Sequence, residues 1–177
     1  MKEYQAVLLY VYPKLERLEE HIGQLVEAKA RASYAGKEST EACAKKMIEY
    51  LCIKDCFARV RASLNEMLAA FSREERYLLE YKYFRRKRVL EGEFADMCCS
   101  FAERTYYRRQ RRLAEKLNGE LIRRGMDEAW FMRTFGDVPY MMAALRSVRA
   151  SGARDMADKR ACGCPQVQKV QKRSRGA

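Results

Sequence analysis

Histidine and proline are nearly missing from this 177-residue chain, with one of the first and three of the second. The lone histidine, His21, stands beside Ile22 with no serine or cysteine partner in pattern, which argues against histidine-based catalysis and histidine metal clusters. Few prolines, only nine glycines and sparse β-branched residues leave little to build strands and tight turns from. No glycine-rich phosphate loop, paired-carboxylate cleft or nucleophile elbow can be found, so no enzyme and no cofactor are expected. No apolar run is long enough to cross a membrane. The run Ala6 to Tyr12 is short, follows Glu3 and lacks a small-residue cleavage site, so it does not read as a secretory signal.

The seven cysteines are odd in number and scattered, at 43, 52, 56, 98, 99, 162 and 164. A disulfide framework is not expected from them, and a reduced, cytoplasmic protein is. Cys52 and Cys56 lie one helical turn apart and Cys162 and Cys164 are separated by one residue, so neither pair is a C-x-x-C zinc knuckle. Adjacent Cys98 and Cys99 read as small apolar packing.

What the chain has is helix formers and positive charge. Apolar residues make up 48%, Ala, Leu, Glu, Lys and Arg dominate, and an all-α fold follows. Net charge is +12. Residues 146 to 177 hold nine Lys or Arg against Asp155 and Asp158, so +7 of that excess sits at the C-terminal end. A basic balance favours a polyanionic partner, nucleic acid ahead of membrane.

Periodicity divides the chain into three parts. Residues 1–70 read as a helical hairpin, coiled-coil-like. Its first arm carries Val7, Leu8, Val11, Leu15, Leu18, Ile22, Leu25 and Val26, with a kink or a short first helix at Pro13. A loop over 31–40 precedes a second arm capped by Ser39 or Thr40, with Cys43, Met47, Tyr50, Leu51, Phe57, Val60, Leu64, Met67 and Leu68 facing one way. Residues 71–146 read as a helix-turn-helix unit with short C-terminal helices. Ser72 and Glu75 form a capping box, and Tyr77, Leu78, Tyr81 and Phe84 share a face. Phe94 with Cys98 or Met97 marks a short helix, Cys99 to Ala102 a turn, and a second helix starts near Glu103. Its inward stripe is Tyr106, Leu113, Leu117 and Leu121, with Gln110 filling the missing turn. Gly125 closes that helix, Asp127 caps another, and Trp130 and Phe131 are core anchors. Residues 147–177 read as a disordered basic tail.

The outer face of the second helix is rich in guanidinium groups, which can fork onto guanine or pair with phosphate. Arg104, Thr105, Tyr107, Arg108 and Arg111 are the candidates for major-groove contacts. Arg109 and Arg112 lie nearer the flanks and are candidates for phosphate. Arg85, Arg86, Lys87 and Arg88 form a basic connector that could hold phosphate beside the motif.

The run Glu103-Arg104-Thr105-Tyr106-Tyr107-Arg108-Arg109-Gln110 resembles the recognition helix of sigma-factor region 4. It is more similar still to the related regulators of Firmicutes and their phages, of the ArpU type. Ser72 to Phe84 resembles the helix that packs across such a motif, and the resemblance spans residues 71–125. The turn differs: Cys-Cys-Ser-Phe replaces a small or glycine-like residue, and Ala102 stands where the family has a capping serine. Ser100, with Glu103 three residues on, could cap instead.

The resemblance implies a sequence-specific binder of double-stranded DNA that controls transcription, from a Firmicute-type bacterium, its phage or a mobile element. It makes RNA polymerase a candidate partner. No aromatic-rich region-2 signature is present, so a region-4-only activator is favoured over a complete sigma factor. The hairpin is a candidate for homodimer formation. The competing reading is a helical protein-interaction adaptor whose basic module binds nucleic acid or protein without sequence preference.

Overall fold

Pro13 decides the first break. Its ring removes one backbone donor and clashes with the preceding turn. The chain accommodates it with helix α1 (Glu3–Val11), one 3-10 turn (Tyr12–Lys14) and helix α2 (Leu15–Tyr34). A computed structural model describes residues 1–36, 39–97 and 103–161, with side chains over 104–151 in the last stretch. The expected turn at Cys99 to Ala102, the Ser100 cap, Cys98, Cys162 and Cys164 lie outside the described residues. Within them the protein is all-α, with no strand and no helix long and apolar enough to cross a membrane.

Ser39 starts α3 (Thr40–Ala69) by accepting the Ala42 N–H at 3.2 Å. At 30 residues α3 is about 45 Å long. It runs antiparallel to α2. Arg61 forks onto the mostly buried Glu19 through two 2.8 Å bonds, and the Tyr12 hydroxyl donates to Asn65 Oδ1 at 2.6 Å. Cys43, Phe57, Val60, Leu64 and Met67 are buried as the pattern predicts. Leu51 is not: it is 50% exposed and, with Ile48 at 61%, forms a second apolar face on α3.

Ser72 and Glu75 close the capping box that starts α4 (Arg73–Leu79). The next turn differs from expectation. Glu80–Phe84 winds as a π turn, closed by the Arg85 N–H on the Glu80 carbonyl at 2.7 Å. The wider winding advances the inward face by a residue. Leu79, Glu80, Tyr83 and Phe84 are therefore buried, and Tyr81 is 49% exposed instead of joining Tyr77 inside. Arg85 ends the turn in a left-handed conformation, φ 52°, which a non-glycine residue adopts at a cost. Helix α5 (Lys87–Gly92) follows.

Phe94 lies just beyond α5 in a turn, not on a two-turn helix. It is still buried, its ring 5.7 Å from that of Tyr77. Arg73 holds this turn to the start of α4 by bonding both Asp96 oxygens, at 2.6 and 2.9 Å, and the Glu93 carbonyl at 2.8 Å.

Helix α6 (Glu103–Arg123) ends at Gly125, φ 69°, with Met126 N–H bonded back to the Leu121 carbonyl at 2.9 Å. Asp127 caps α7 (Glu128–Phe135) through the Trp130 N–H at 2.7 Å. Helix α8 begins at Pro139 and runs to Ala161, well past Arg146, where the pattern had placed the start of a tail. Its apolar stripe, Met141, Leu145 and the half-buried Val148, explains the first part of that extension. Alanine and arginine, both good helix formers, carry the rest.

The core is centred on α1, which is apolar on nearly every side. Tyr4, Val7, Leu8, Leu9 and Val11 are at most 2% exposed, so α1 is an internal helix and not a hairpin arm. It packs on α8 and the π turn, and an Arg149–Glu3 pair at 2.6 Å closes its start against α8. One hydrophobic core runs from Tyr4 to Leu145, across the expected boundary at residue 70. Phe135 ties the parts together, with ring centroids 5.6 Å from Phe57, 5.5 Å from Phe131 and 5.7 Å from Trp130. Phe135→Ala is expected to destabilise by about 3–5 kcal/mol. Urea unfolding measures this, and a loss under about 1 kcal/mol would mean the aromatic cluster can collapse without cost.

Candidate nucleic-acid interface

Helix α6 has 21 residues and is about 31 Å long. Leu113, Leu117 and Leu121 are at most 1% exposed, Gln110 is 8% exposed and Tyr106 is half-buried. These positions recur every three or four residues and define the inward face. Gln110 sits there as expected, although its Nε2 is buried with no partner among the described residues. Asn118, on the same side, accepts the Gln5 amide at 2.6 Å and so fixes α6 against α1.

Two ion pairs fix the rotation of α6 further. Arg109 donates to Glu74 at 2.5 Å and Lys116 to Glu75 at 2.7 Å. The two cations are seven residues apart, on one side of the helix, and both acids are in the first turn of α4. The Lys116 ammonium also lies 4.5 Å over the Phe71 ring. Glu75 performs a second task, accepting the Ser72 N–H at 2.8 Å in the capping box.

With that side occupied, Arg104, Arg108 and Arg112 fall four residues apart in a row on the exposed side. No carboxylate among the described side chains pairs with any of them. Tyr107 is 51% exposed beside this row, its ring 5.6 Å from that of Tyr106, and Thr105 is half-buried. Arg111 is exposed and paired along the helix with Glu115 at 3.1 Å. Arg112, expected at the flank, lies in the outward row. Arg109, also a phosphate candidate, is held by Glu74.

The connector residues separate from one another. Arg86 forks onto Glu80, which is only 3% exposed, and its guanidinium lies over the rings of Tyr12 and Phe84 at 5.7 and 5.4 Å. That hydrogen bond raises its pKa further, and the side chain is engaged in neutralising a buried acid. Arg86, a phosphate candidate by sequence, is thus engaged within the fold. Arg85, Lys87 and Arg88 are exposed, with Lys87 3.5 Å from Glu91.

Sequence reasoning did not find the Glu74 and Glu75 brace or the Glu80–Arg86 pair. The first joins residues 35 and 41 apart, and the second is six apart, off helical spacing. The capping box was the one available signal, since it placed Glu74 and Glu75 at a helix start. Elsewhere, His21 and Cys52 are exposed on the hairpin, and burial pushes the Cys56 thiol up. No cluster of metal-ligating side chains occurs among the described residues.

Comparison with family models, curated proteins and solved structures finds no match for this chain.

Partial burial alone would raise the Glu75 pKa. Lys116 and the Ser72 N–H outweigh it, and the carboxyl lies below its ordinary value. A depressed folded pKa stabilises fully above the unfolded value, about 4.3, and that stabilisation fades as pH falls through the lower folded value. Glu75→Gln should therefore lose stability at about pH 6 and remove part of the acid-side decline. Urea midpoints measured from about pH 3 to pH 6 check this, and acid limbs parallel to wild type would contradict it.

Proposed function

We propose that this chain binds double-stranded DNA sequence-specifically and regulates transcription, with α6 lying in the major groove. The observation that carries this reading is the row of Arg104, Arg108 and Arg112, exposed on a helix whose other sides are packed or ion-paired. Arginine presents a rigid fork that matches guanine O6 and N7. Tyr107 and Thr105 flank the row and would add apolar or hydroxyl contacts to base edges. Arg85, Lys87, Arg88 and Arg111 would meet phosphate, which orients the helix without reading sequence. The resemblance of residues 71–125 to sigma region 4 and ArpU-type regulators supports the same reading.

RNA polymerase fits as a partner in this scheme, with the chain acting as a region-4-like module. The hairpin offers a separate surface. Ile48 and Leu51 are exposed with Cys52 on one side of α3, away from the packed side. A second copy of the chain meeting this face would give a homodimer and paired half-sites on DNA. Ile48→Glu with Leu51→Glu should abolish self-association in sedimentation and the concentration dependence of the melting temperature, while the helical circular dichroism is kept. A monomeric wild type would remove the dimer from the scheme.

Selection of binding sites from a random duplex pool, using the full chain, tests the main reading. A defined motif is expected. Arg108→Ala should relax it at one position and cost about 1–3 kcal/mol. Lys87→Ala and Arg88→Ala should weaken all duplexes alike, each lowering the salt slope by about one. Salt-sensitive binding with no motif would contradict sequence-specific readout and favour the adaptor reading.

A further inference from the structure

A second basic surface lies away from the α6 arginine row. A furrow of about 810 Å³ opens between α1, the π turn and α8. Lys14, Lys82 and Arg85 supply its cations, and Tyr10, Tyr83 and Tyr140 its aromatic rings. No carboxylate lines it among the described residues. It shares Lys82 and Tyr83 with a neighbouring hollow of about 530 Å³ that reaches Lys2 and Arg111. Cations therefore recur along a continuous path, and the one acid lining it among the described residues, Glu115, is already paired with Arg111.

The rings are placed to meet a flat ligand. Tyr10 and Tyr140 are 38% and 39% exposed at the furrow, so part of each ring is open to a ligand. Tyr10 rests on the buried Tyr83, with centroids 5.3 Å apart, and Lys82 lies 5.2 Å over the Tyr83 ring. Arg85 adds an independent sign. It holds a left-handed backbone that glycine would adopt without strain, yet the position carries a cation that lines the furrow.

We propose that this furrow binds single-stranded nucleic acid, with bases stacking on Tyr10 and Tyr140 and phosphates meeting Lys14, Lys82 and Arg85. Exposed π faces set among cations are the recognition chemistry of a single strand. An acidic peptide fits less well. The walls are chiefly helices, whose interior N–H and C=O groups are bonded internally, and the described residues include no strand edge to pair with a peptide backbone. A duplex fits less well too, since a furrow between packed helices whose axes are about 8–10 Å apart takes one strand and not two.

The test uses the full chain and a fluorescent oligothymidylate of about 12 nucleotides, read by anisotropy at low and moderate salt. Tyr10→Leu and Tyr140→Leu keep apolar bulk and remove the ring. Each is expected to weaken binding about fivefold to a hundredfold. Arg85→Gly should weaken binding and flatten its salt dependence while leaving the melting temperature unchanged or higher. Arg108→Ala should leave oligothymidylate affinity unchanged, and Tyr10→Leu and Tyr140→Leu should leave duplex selection unchanged, so the two surfaces can fail separately. Affinity unaffected by both tyrosine variants would overturn the proposal. So would polyglutamate displacing the oligonucleotide as effectively as unlabelled strand, which would make the furrow a general anion or protein surface.

Discussion

The first turn of α4 holds α6 by its cationic flank, and the rest of the candidate interface depends on that contact. Glu74 takes Arg109 and Glu75 takes Lys116, while Gln5 of α1 bonds Asn118 from another side. A helix with four arginines between 108 and 112 could present any of them outward. The brace leaves Arg104, Arg108 and Arg112 facing solvent. Each exposed pair contributes little alone, about 0–1 kcal/mol. Their value is orientational, because both act on one side of a helix already packed along its leucine stripe.

The same economy appears around α1. This nine-residue helix is covered on almost all sides and serves both halves of the molecule. The π turn packs on it from one direction and α8 from another. Glu80, buried in that turn, would be costly without Arg86, whose fork neutralises it and whose plane covers two aromatic rings. One member of a basic cluster is thus spent on folding, and its neighbours Arg85, Lys87 and Arg88 remain at the surface.

Local features were legible in the sequence because they depend on neighbours. Ser39, Ser72 with Glu75, Gly125 and Asp127 all act where cap chemistry places them. The α6 stripe followed from its period, and Phe131 in the core from its aromatic bulk. Long-range facts were not legible. An α-helical period carried through residues 80–84 puts Tyr81 inside, and only the π winding turns it out. The α1 stripe looked like a hairpin arm because one chain cannot show that a helix is covered on every side. Arg86 read as a phosphate contact because its acid is six residues away. The furrow draws Lys14, Lys82 and Tyr140 from three distant elements, so no window of sequence contains it.

The central claim is that α6 meets duplex DNA with one particular side. Photo-crosslinking residues placed singly at 104, 108, 109, 112 and 116 test it directly against duplex carrying the selected motif. Crosslinks from 104, 108 and 112, with none from 109 or 116, are the result this account predicts. Crosslinking from 109 or 116 as strong as from 108 would mean the brace does not set the DNA-facing side. No crosslink from any of the five would place the DNA contact elsewhere on the molecule.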